Sequence, residues 1–352
     1  MRLRKATGVV LAGSLLALTG CMATGPGGSS DAVVFGTTGG AASEAFQKAW
    51  LLPFTEETGI PVVEDAPATM AKMLQSVDAN AVTMDAILAV LSTPADANPA
   101  LEELDYDIID AAQFEDSPFK VRPQAVPFFV FSRVAAYNTE LFPEGSEPTG
   151  FMDFFDTENF PGKRLMPAAT SGWSGFLELA LIHDGVPRDE LYPLDVERAL
   201  RVFEPVKADL DVMADDGECV TEVAAGEAAM GACYNGRTEI GKRDGLPIDI
   251  AWGNEMQWAD YLFIPKGAKN KDKAMELIAY LVDKENNGRI ADEIAYAPAN
   301  PLAEVDPDGE WVNAIPGAGA LEGELAPIVP DEEWWMENQA AVAERIAAWL
   351  QS

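Results

Sequence analysis

Histidine, cysteine and basic residues are all scarce in this chain. Its 352 residues include one histidine, three cysteines and 24 lysines and arginines, against 58 acidic residues. Zinc and copper sites need several histidine or cysteine ligands close together, so we expect no such metal and no other cofactor. The formal net charge of −34 would repel the phosphates of nucleic acid, which is therefore not an expected partner.

The acidic residues are spread along the whole chain and form no acidic tail. One interpretation is a solvated surface suited to high ionic strength, where salt screens the self-repulsion. The other is that the charge draws cations towards a cleft. The even spread favours the first interpretation.

Long apolar runs are missing too, since no segment reaches the roughly 20 apolar residues that span a bilayer. The basic start and the short apolar run 9–18 are typical of an export signal. Cys21, directly after Leu18-Thr19-Gly20, favours a lipoprotein signal, with residues 1–20 removed and a lipid on Cys21. An ordinary cleaved signal with an incidental cysteine is the alternative. Residues 21–30 predict a flexible tether, and the protein is expected outside the cytoplasmic membrane, lipid-anchored to its outer face or periplasmic.

The two remaining cysteines, Cys219 and Cys233, are candidates for a disulfide in an oxidising compartment. Their spacing alone leaves the pairing open, because it does not show how close the Cα atoms come.

Strand-like apolar runs and helical periodicities alternate along the mature chain. Strands are predicted at 32–35, 60–63, 84–91, 126–136, 228–234 and 258–264. Helices are predicted at 46–54, 151–155, 173–183, 195–207, 270–282 and 332–350. About 330 residues in this alternation indicate an α/β protein of two lobes, with the ligand at the carboxyl ends of strands.

Six segments in order carry a resemblance to a known family. The densest is Trp258-Ala-Asp-Tyr-Leu-Phe-Ile-Pro-Lys-Gly-Ala-Lys-Asn270, and the others lie at 54–60, 137–142, 160–164, 226–237 and 296–300. The chain resembles the extracellular solute-binding proteins of ABC importers, in particular the spermidine/putrescine-binding branch. The resemblance implies a monomer that binds a small solute without chemistry and delivers it to a membrane permease.

The family fold implied by this resemblance is the two-lobed, type II periplasmic-binding-protein fold, with the ligand cleft between the lobes. Carried over, lobe one is 31–136 plus 262–303, and lobe two is 138–258 plus 304–352. The tail helix is expected to pack on lobe two, with a permease contact as the alternative.

A polyamine needs carboxylates for its ammonium groups and aromatic faces for its methylene stem. By resemblance, Asp260 is the key carboxylate, and Trp258, Tyr234 and Tyr296 are aromatic walls of the cleft. Glu255 is a weaker carboxylate candidate. A polyamine such as putrescine or spermidine is therefore the first expectation for the ligand.

Several departures from the family pattern favour an alternative ligand. A glycine-rich turn with Thr37 and Thr38 replaces the usual aromatic cluster, which suits an anion or neutral acceptor, or is simply a tight turn. Ser92 ends the strand 84–91 as a further polar candidate. Trp173 stands where the family has an acidic pair, and Arg237 suits a carboxylate or phosphonate, or a structural salt bridge. The alternative is a zwitterionic or anionic solute, such as an amino-acid-like compound or a phosphonate.

Enzymes and other binders fit less well. A secreted hydrolase is a remote alternative, because the chain has no Gly-x-Ser-x-Gly motif and its one histidine, His183, lies at a predicted helix end. A ferric-ion binder would need adjacent tyrosines, and no Tyr-Tyr pair occurs. A structural envelope lipoprotein gives no reason for tryptophans near loop boundaries.

Overall fold

The computed structural model describes residues 31–352 except 143, 171–172, 215 and 320. The predicted signal, tether and lipidation at Cys21 lie outside the described residues. Within this part of the chain, no helix is both long enough and apolar enough to span a membrane.

Nine strands form one mixed sheet in the described chain. They are β1 Val33–Gly36, β2 Val62–Asp65, β3 Ala86–Val90, β4 Val126–Asn138, β5 Arg164–Met166, β6 Leu210–Val212, β7 Met230–Tyr234, β8 Ile248–Phe263 and β9 Ala297–Pro298. Their order is β2-β1-β3-β8-β4-β7-β5-β6, with β9 paired to β4. The outer strands of each half run parallel, whereas β8 is antiparallel to both β3 and β4.

Helices cover both halves of the sheet. The α-helices are α1 Ala41–Phe46, α2 Leu52–Thr58, α3 Met70–Asp78, α4 Phe176–His183, α5 Val196–Phe203, α6 Cys219–Ala224, α7 Asn235–Arg243, α8 Lys271–Val282, α9 Lys284–Asn287 and α10 Glu332–Gln351. A π-helical segment Gln47–Leu51 joins α1 to α2. Short 3-10 helices lie at Ala111–Phe114, Phe151–Phe155, Arg188–Glu190, Glu204–Asp209, Gly288–Asp292 and Gly323–Leu325.

Two long strands run through the middle of the molecule. β4 has 13 residues and β8 has 16, and they pair from Val126 with Leu262 to Asn138 with Ile248. One end of β8 pairs with β3, and the far end of β4 pairs with β7. These two strands, called the crossing strands below, therefore connect the halves of the sheet.

Buried side chains form two main cores. The first core draws its buried residues from 33–130 and 259–299, and the second from 135–256 and 328–346. The change from one core to the other falls near the middle of both crossing strands. The exact lobe boundaries proposed from the sequence stay a prediction.

The tail helix α10 contacts both cores. Trp335, Val342 and Ile346 belong to the second core, whereas Met336 packs against the first. The Tyr261 hydroxyl donates to Glu332 at 2.6 Å, and the next residue, Glu333, pairs with Arg122. The expected packing on lobe two is thus accompanied by contacts with the other half.

Most predicted elements are present, with differences at their ends. The helix predicted at 173–183 begins only at Phe176, after Gly175, whose φ of 84° is left-handed. The segment 195–207 turns from α-helix to 3-10 helix at Glu204, just before Pro205, which cannot donate to the helix ladder. The strand predicted at 258–264 is the end of the longer β8.

Candidate binding site between the two cores

An aromatic row lies at the middle of the crossing strands. Phe131 pairs with Trp258 across the sheet, and Phe129 pairs with Asp260. Residues two apart on a strand point to the same face, so these four side chains share one face. The rings of Phe131 and Trp258 are stacked at 24°, with centroids 6.1 Å apart.

Two tyrosines extend this row from other elements. Tyr296, just before β9, stacks on Phe129 with ring centroids 4.5 Å apart and planes at 9°. Tyr234, at the end of β7, meets Phe131 edge-on at 5.8 Å. The sequence-predicted residues Trp258, Tyr234 and Tyr296 therefore belong to one aromatic surface around Asp260.

Asp260 is a buried carboxylate on β8. Its side chain makes no hydrogen bond or ion pair with any described residue, and the residue is only 8% exposed. Burial raises the pKa of Asp260 from 3.8 to about 7, since little solvent reaches the charged form. A cationic ligand would supply the missing counter-charge, which makes Asp260 a binding candidate on geometry and charge.

Opposite charges act on the hydroxyl of Tyr296. Burial is the main reason that its pKa rises to about 12, the charge of Asp260 raises it further, and the charge of Arg237 lowers it. Arg237 is exposed, and its guanidinium carbon lies 5.9 Å from the ring centroid of Tyr234. It forms no salt bridge with the described acidic residues. One cation and one anion therefore flank the aromatic row.

A cavity of about 250 Å³ adjoins this row. Ser92, Phe131, Arg133, Tyr234 and Trp258 line it, together with the first two turns of α10. Asp260 lies next to the lining residue Ala259 and is not itself part of the lining. The cavity therefore extends from the Phe131, Trp258 and Tyr234 part of the row towards the tail helix.

Four other predicted site residues lie away from this cavity. The Thr37 hydroxyl is buried and donates to Glu64 at 2.9 Å, whereas Thr38 is exposed. Trp173 is fully buried in the second core, where its indole N–H donates to the Pro167 carbonyl at 2.9 Å. Glu255 is 3% exposed and accepts from the backbone N–H of Gly317 at 2.7 Å. Their binding roles stay predictions. Thr37 and Trp173 each have a structural partner, whereas Oε2 of the buried Glu255 has no hydrogen-bond partner among the described residues.

Arg133 is a cavity residue that sequence reasoning missed, as are Phe131 and Glu332. It lies inside β4, is 4% exposed and pairs with Asp216 at 2.7 Å. The sequence did contain one signal for it, because Arg133 is the single basic residue within an apolar predicted strand and the chain has few basic residues. Its acidic partner is 83 positions away, which no local pattern indicates.

A larger hollow of about 690 Å³ lies on the first half, away from the crossing strands. Its walls are mainly charged and include Glu103, Asp107, Asp272 and Glu276. It has no aromatic row, and the described residues hold no cluster of three or more metal-ligating side chains. The smaller cavity at the crossing strands is therefore the better ligand site, because apolar walls with a few converging polar groups typify such sites.

Comparisons with known proteins show what the chain is similar to. The sequence model of the family "Bacterial extracellular solute-binding protein" matches residues 49–317. The gamma-aminobutyric acid-binding protein of Pseudomonas aeruginosa is 28% identical over 322 residues, covering 88% of each chain. The spermidine/putrescine-binding periplasmic protein of Escherichia coli is 26% identical over 164 residues, 41% of this chain and 47% of the relative. A solved structure titled Atu4243-GABA receptor is 31% identical, with a TM-score of 0.72, covering 91% of this chain and 97% of that one. These likenesses confirm the two-lobed α/β fold expected from the sequence.

Proposed function

From the premise that the chain belongs to the bacterial extracellular solute-binding protein family, we propose that it captures a small ω-amino acid of the 4-aminobutyrate type for an ABC importer. The observation that carries this proposal is the buried carboxylate of Asp260, which has no hydrogen-bond or ion-pair partner among the described residues. It lies in an aromatic site where the charge of Arg237 also acts on the Tyr296 hydroxyl. A ligand with an ammonium at one end and a carboxylate at the other complements both charges.

Each part of the ligand has a matching part of the site. Asp260 accepts charge-assisted hydrogen bonds from the ammonium, and the neighbouring aromatic faces hold it by cation–π attraction. Trp258 and Phe131 cover the methylene chain. Arg237 presents its planar fork of donors to the carboxylate. The relatives named for gamma-aminobutyric acid support this assignment over most of their length.

Capture then depends on the crossing strands. They join both cores, so bending them brings Arg237 of α7 and Asp260 of β8 towards one ligand. The ligand stabilises the closed form only through contacts that it makes better there than in the open form. Delivery to a permease, and a lipid anchor at Cys21, complete the proposal without any covalent chemistry on the ligand.

A diamine or polyamine, the first expectation from the sequence, is the second candidate. It would use Asp260 and the aromatic row in the same way but needs another carboxylate for its second ammonium. Glu332 of α10 lines the same cavity, and burial raises its pKa to about 7 despite its bond from Tyr261. The spermidine/putrescine-binding relative also supports this candidate.

Calorimetric titration separates the two candidates. It is run at high salt, which screens the diffuse attraction of an acidic protein for any cation. We expect 4-aminobutyrate to bind, and Arg237→Gln to weaken it by about tenfold while leaving putrescine no weaker. Arg201→Gln, an exposed arginine on α5, is the matched control. Binding of putrescine without 4-aminobutyrate would select the second candidate, and binding of neither would overturn both.

A further inference from the structure

Arg133 brings a second positive charge to the wall of the cavity. It faces Tyr234 across β4 and β7, and its guanidinium carbon lies 4.3 Å from the centroid of that ring. It donates to the Tyr234 hydroxyl at 3.0 Å and to the Ala232 carbonyl at 2.9 Å. Arg133 therefore has a fixed position beside the same tyrosine that Arg237 approaches.

Asp216 already neutralises this charge. Its carboxylate accepts from Arg133 at 2.7 Å, and the Tyr234 hydroxyl lies 3.4 Å from the same oxygen. The Arg133 side chain is 5% exposed and the Asp216 side chain 25%. Arg133 lines the cavity and Asp216 pairs with it from outside the lining, and both side chains are buried enough for their charges to be screened less than at the surface.

The fold fixes the position of Asp216. It lies in the loop between β6 and α6, three residues before Cys219, the first residue of α6. Cys219 is bonded to Cys233 on β7, with Cα atoms 5.5 Å apart, and Cys233 directly precedes Tyr234. The disulfide thus ties the end of the Asp216 loop to the strand that carries Tyr234.

We propose that Asp216 is a specificity-determining residue: by neutralising Arg133, it makes the cleft reject ligands that carry a second carboxylate. This inference rests on the proposed function. Asp260 takes the ammonium, Arg237 takes one carboxylate, and the Arg133–Asp216 pair adds no net charge. A second carboxylate meets no unpaired cation among the described residues that line the cavity, and it comes near the negative charge of Asp216.

The Arg133–Asp216 pair should make the site discriminate between 4-aminobutyrate and glutamate. The two share an ammonium, a carboxylate and a short methylene chain, and glutamate has one carboxylate more. Discrimination by an unfavourable charge is an established route to specificity, because like charges placed together in a partly buried site are costly. Without Asp216, Arg133 would become an available partner for the extra carboxylate.

The test is calorimetric titration of the full chain with both ligands, in the wild type and in Asp216→Asn. The amide keeps an oxygen that accepts from Arg133 and removes the negative charge. We expect the ratio of glutamate affinity to 4-aminobutyrate affinity to rise at least about tenfold, since one partly buried charge is removed. An unchanged ratio in a variant that melts like the wild type would overturn the inference.

A double variant separates charge from loop structure. Arg133→Gln with Asp216→Asn again adds no net charge, so the ratio should return to about the wild-type value. If the double variant keeps the raised ratio, charge balance is not the cause and the inference is wrong. Should Asp216→Asn fail to fold, Arg133→Gln alone must lower the ratio, because it leaves only the negative charge.

The outcomes also separate this inference from the proposed function. A wild-type protein that binds no ω-amino acid overturns both. A wild-type protein that binds 4-aminobutyrate, with an affinity ratio that Asp216→Asn leaves unaltered, overturns only the role of Asp216.

Discussion

Binding of an ammonium ligand should strengthen as the pH rises towards neutrality, because Asp260 must be ionised to receive it. Burial raises the pKa of Asp260 from 3.8 to about 7 in the empty site. That shift of about three units corresponds to roughly 4 kcal/mol of disfavour for the charged form. A bound ammonium stabilises the charged form, so the ligand and a proton compete for the same carboxylate.

The protonation states of Asp260 decide whether stability and ligand affinity rise or fall with pH. Between pH 4 and pH 7 the folded, empty protein keeps a proton on Asp260 that the unfolded chain releases, so this group's contribution to stability falls as the pH rises through that window. Between pH 5.5 and pH 8 the ligand's own amine and carboxylate both stay ionised. Below pH 7 its affinity should therefore fall by up to about tenfold per pH unit, with one proton released on binding.

The assay is calorimetry at pH 5.5 and 8 in buffers of different ionisation enthalpy, at high salt. We expect affinity for 4-aminobutyrate to be about 30-fold lower at pH 5.5 than at pH 8, as for one proton competing against a pKa near 7. Asp260→Asn should lose about 2–5 kcal/mol of binding energy and the pH dependence. Asp272→Asn, an exposed acid on α8, is the control and should keep both. Equal affinities at the two pH values, or proton uptake on binding, would refute the reasoning.

Three further predictions concern the walls and supports of the site. Trp258→Ala should weaken ammonium binding by about 1–2 kcal/mol in the same titration, through the lost cation–π face, and an unchanged affinity would exclude Trp258 from the site. Replacing both Cys219 and Cys233 by serine should lower the free energy of unfolding in urea by about 2–4 kcal/mol, and equal midpoints would contradict a structural role for the disulfide. Arg164→Leu should cost more than about 3 kcal/mol by the same urea assay, because the buried guanidinium bonds backbone carbonyls of the loop before β5, whereas the neighbouring Lys163→Met should cost under 1 kcal/mol.

Sequence patterns predicted most strands and helices, because the spacing of apolar residues differs between the two. The first half of β8 was missed, since Gly253 and Asn254 interrupt its apolar pattern. Asn254 has a φ of 57°, and the register between the crossing strands shifts between Arg133 and Ala135 of β4. Such a bulge is set by the pairing of two distant strands, which a local pattern does not contain.

The sequence predicted the site only in part, because some of its contacts join residues that are distant in the chain. Trp258, Asp260, Tyr234 and Tyr296 were named through the family resemblance, and the structure brings them to one aromatic row. The sequence had no means of showing that Trp173 is core, because tryptophans in cores and in clefts have the same neighbours along a chain. The Arg133–Asp216 pair was equally hidden, since its two members meet only when β7 lies beside β4.

The tail helix has a mechanical consequence for the two halves. Two adjacent strands alone form a ribbon, which bends easily and also twists. The contacts of Glu332 and Glu333 add a further attachment at one end of that ribbon, since Tyr261 lies on β8 and Arg122 lies four residues before β4. Because α10 packs against both cores as well, we expect it to limit twisting of the ribbon, so that the two halves move mainly by bending.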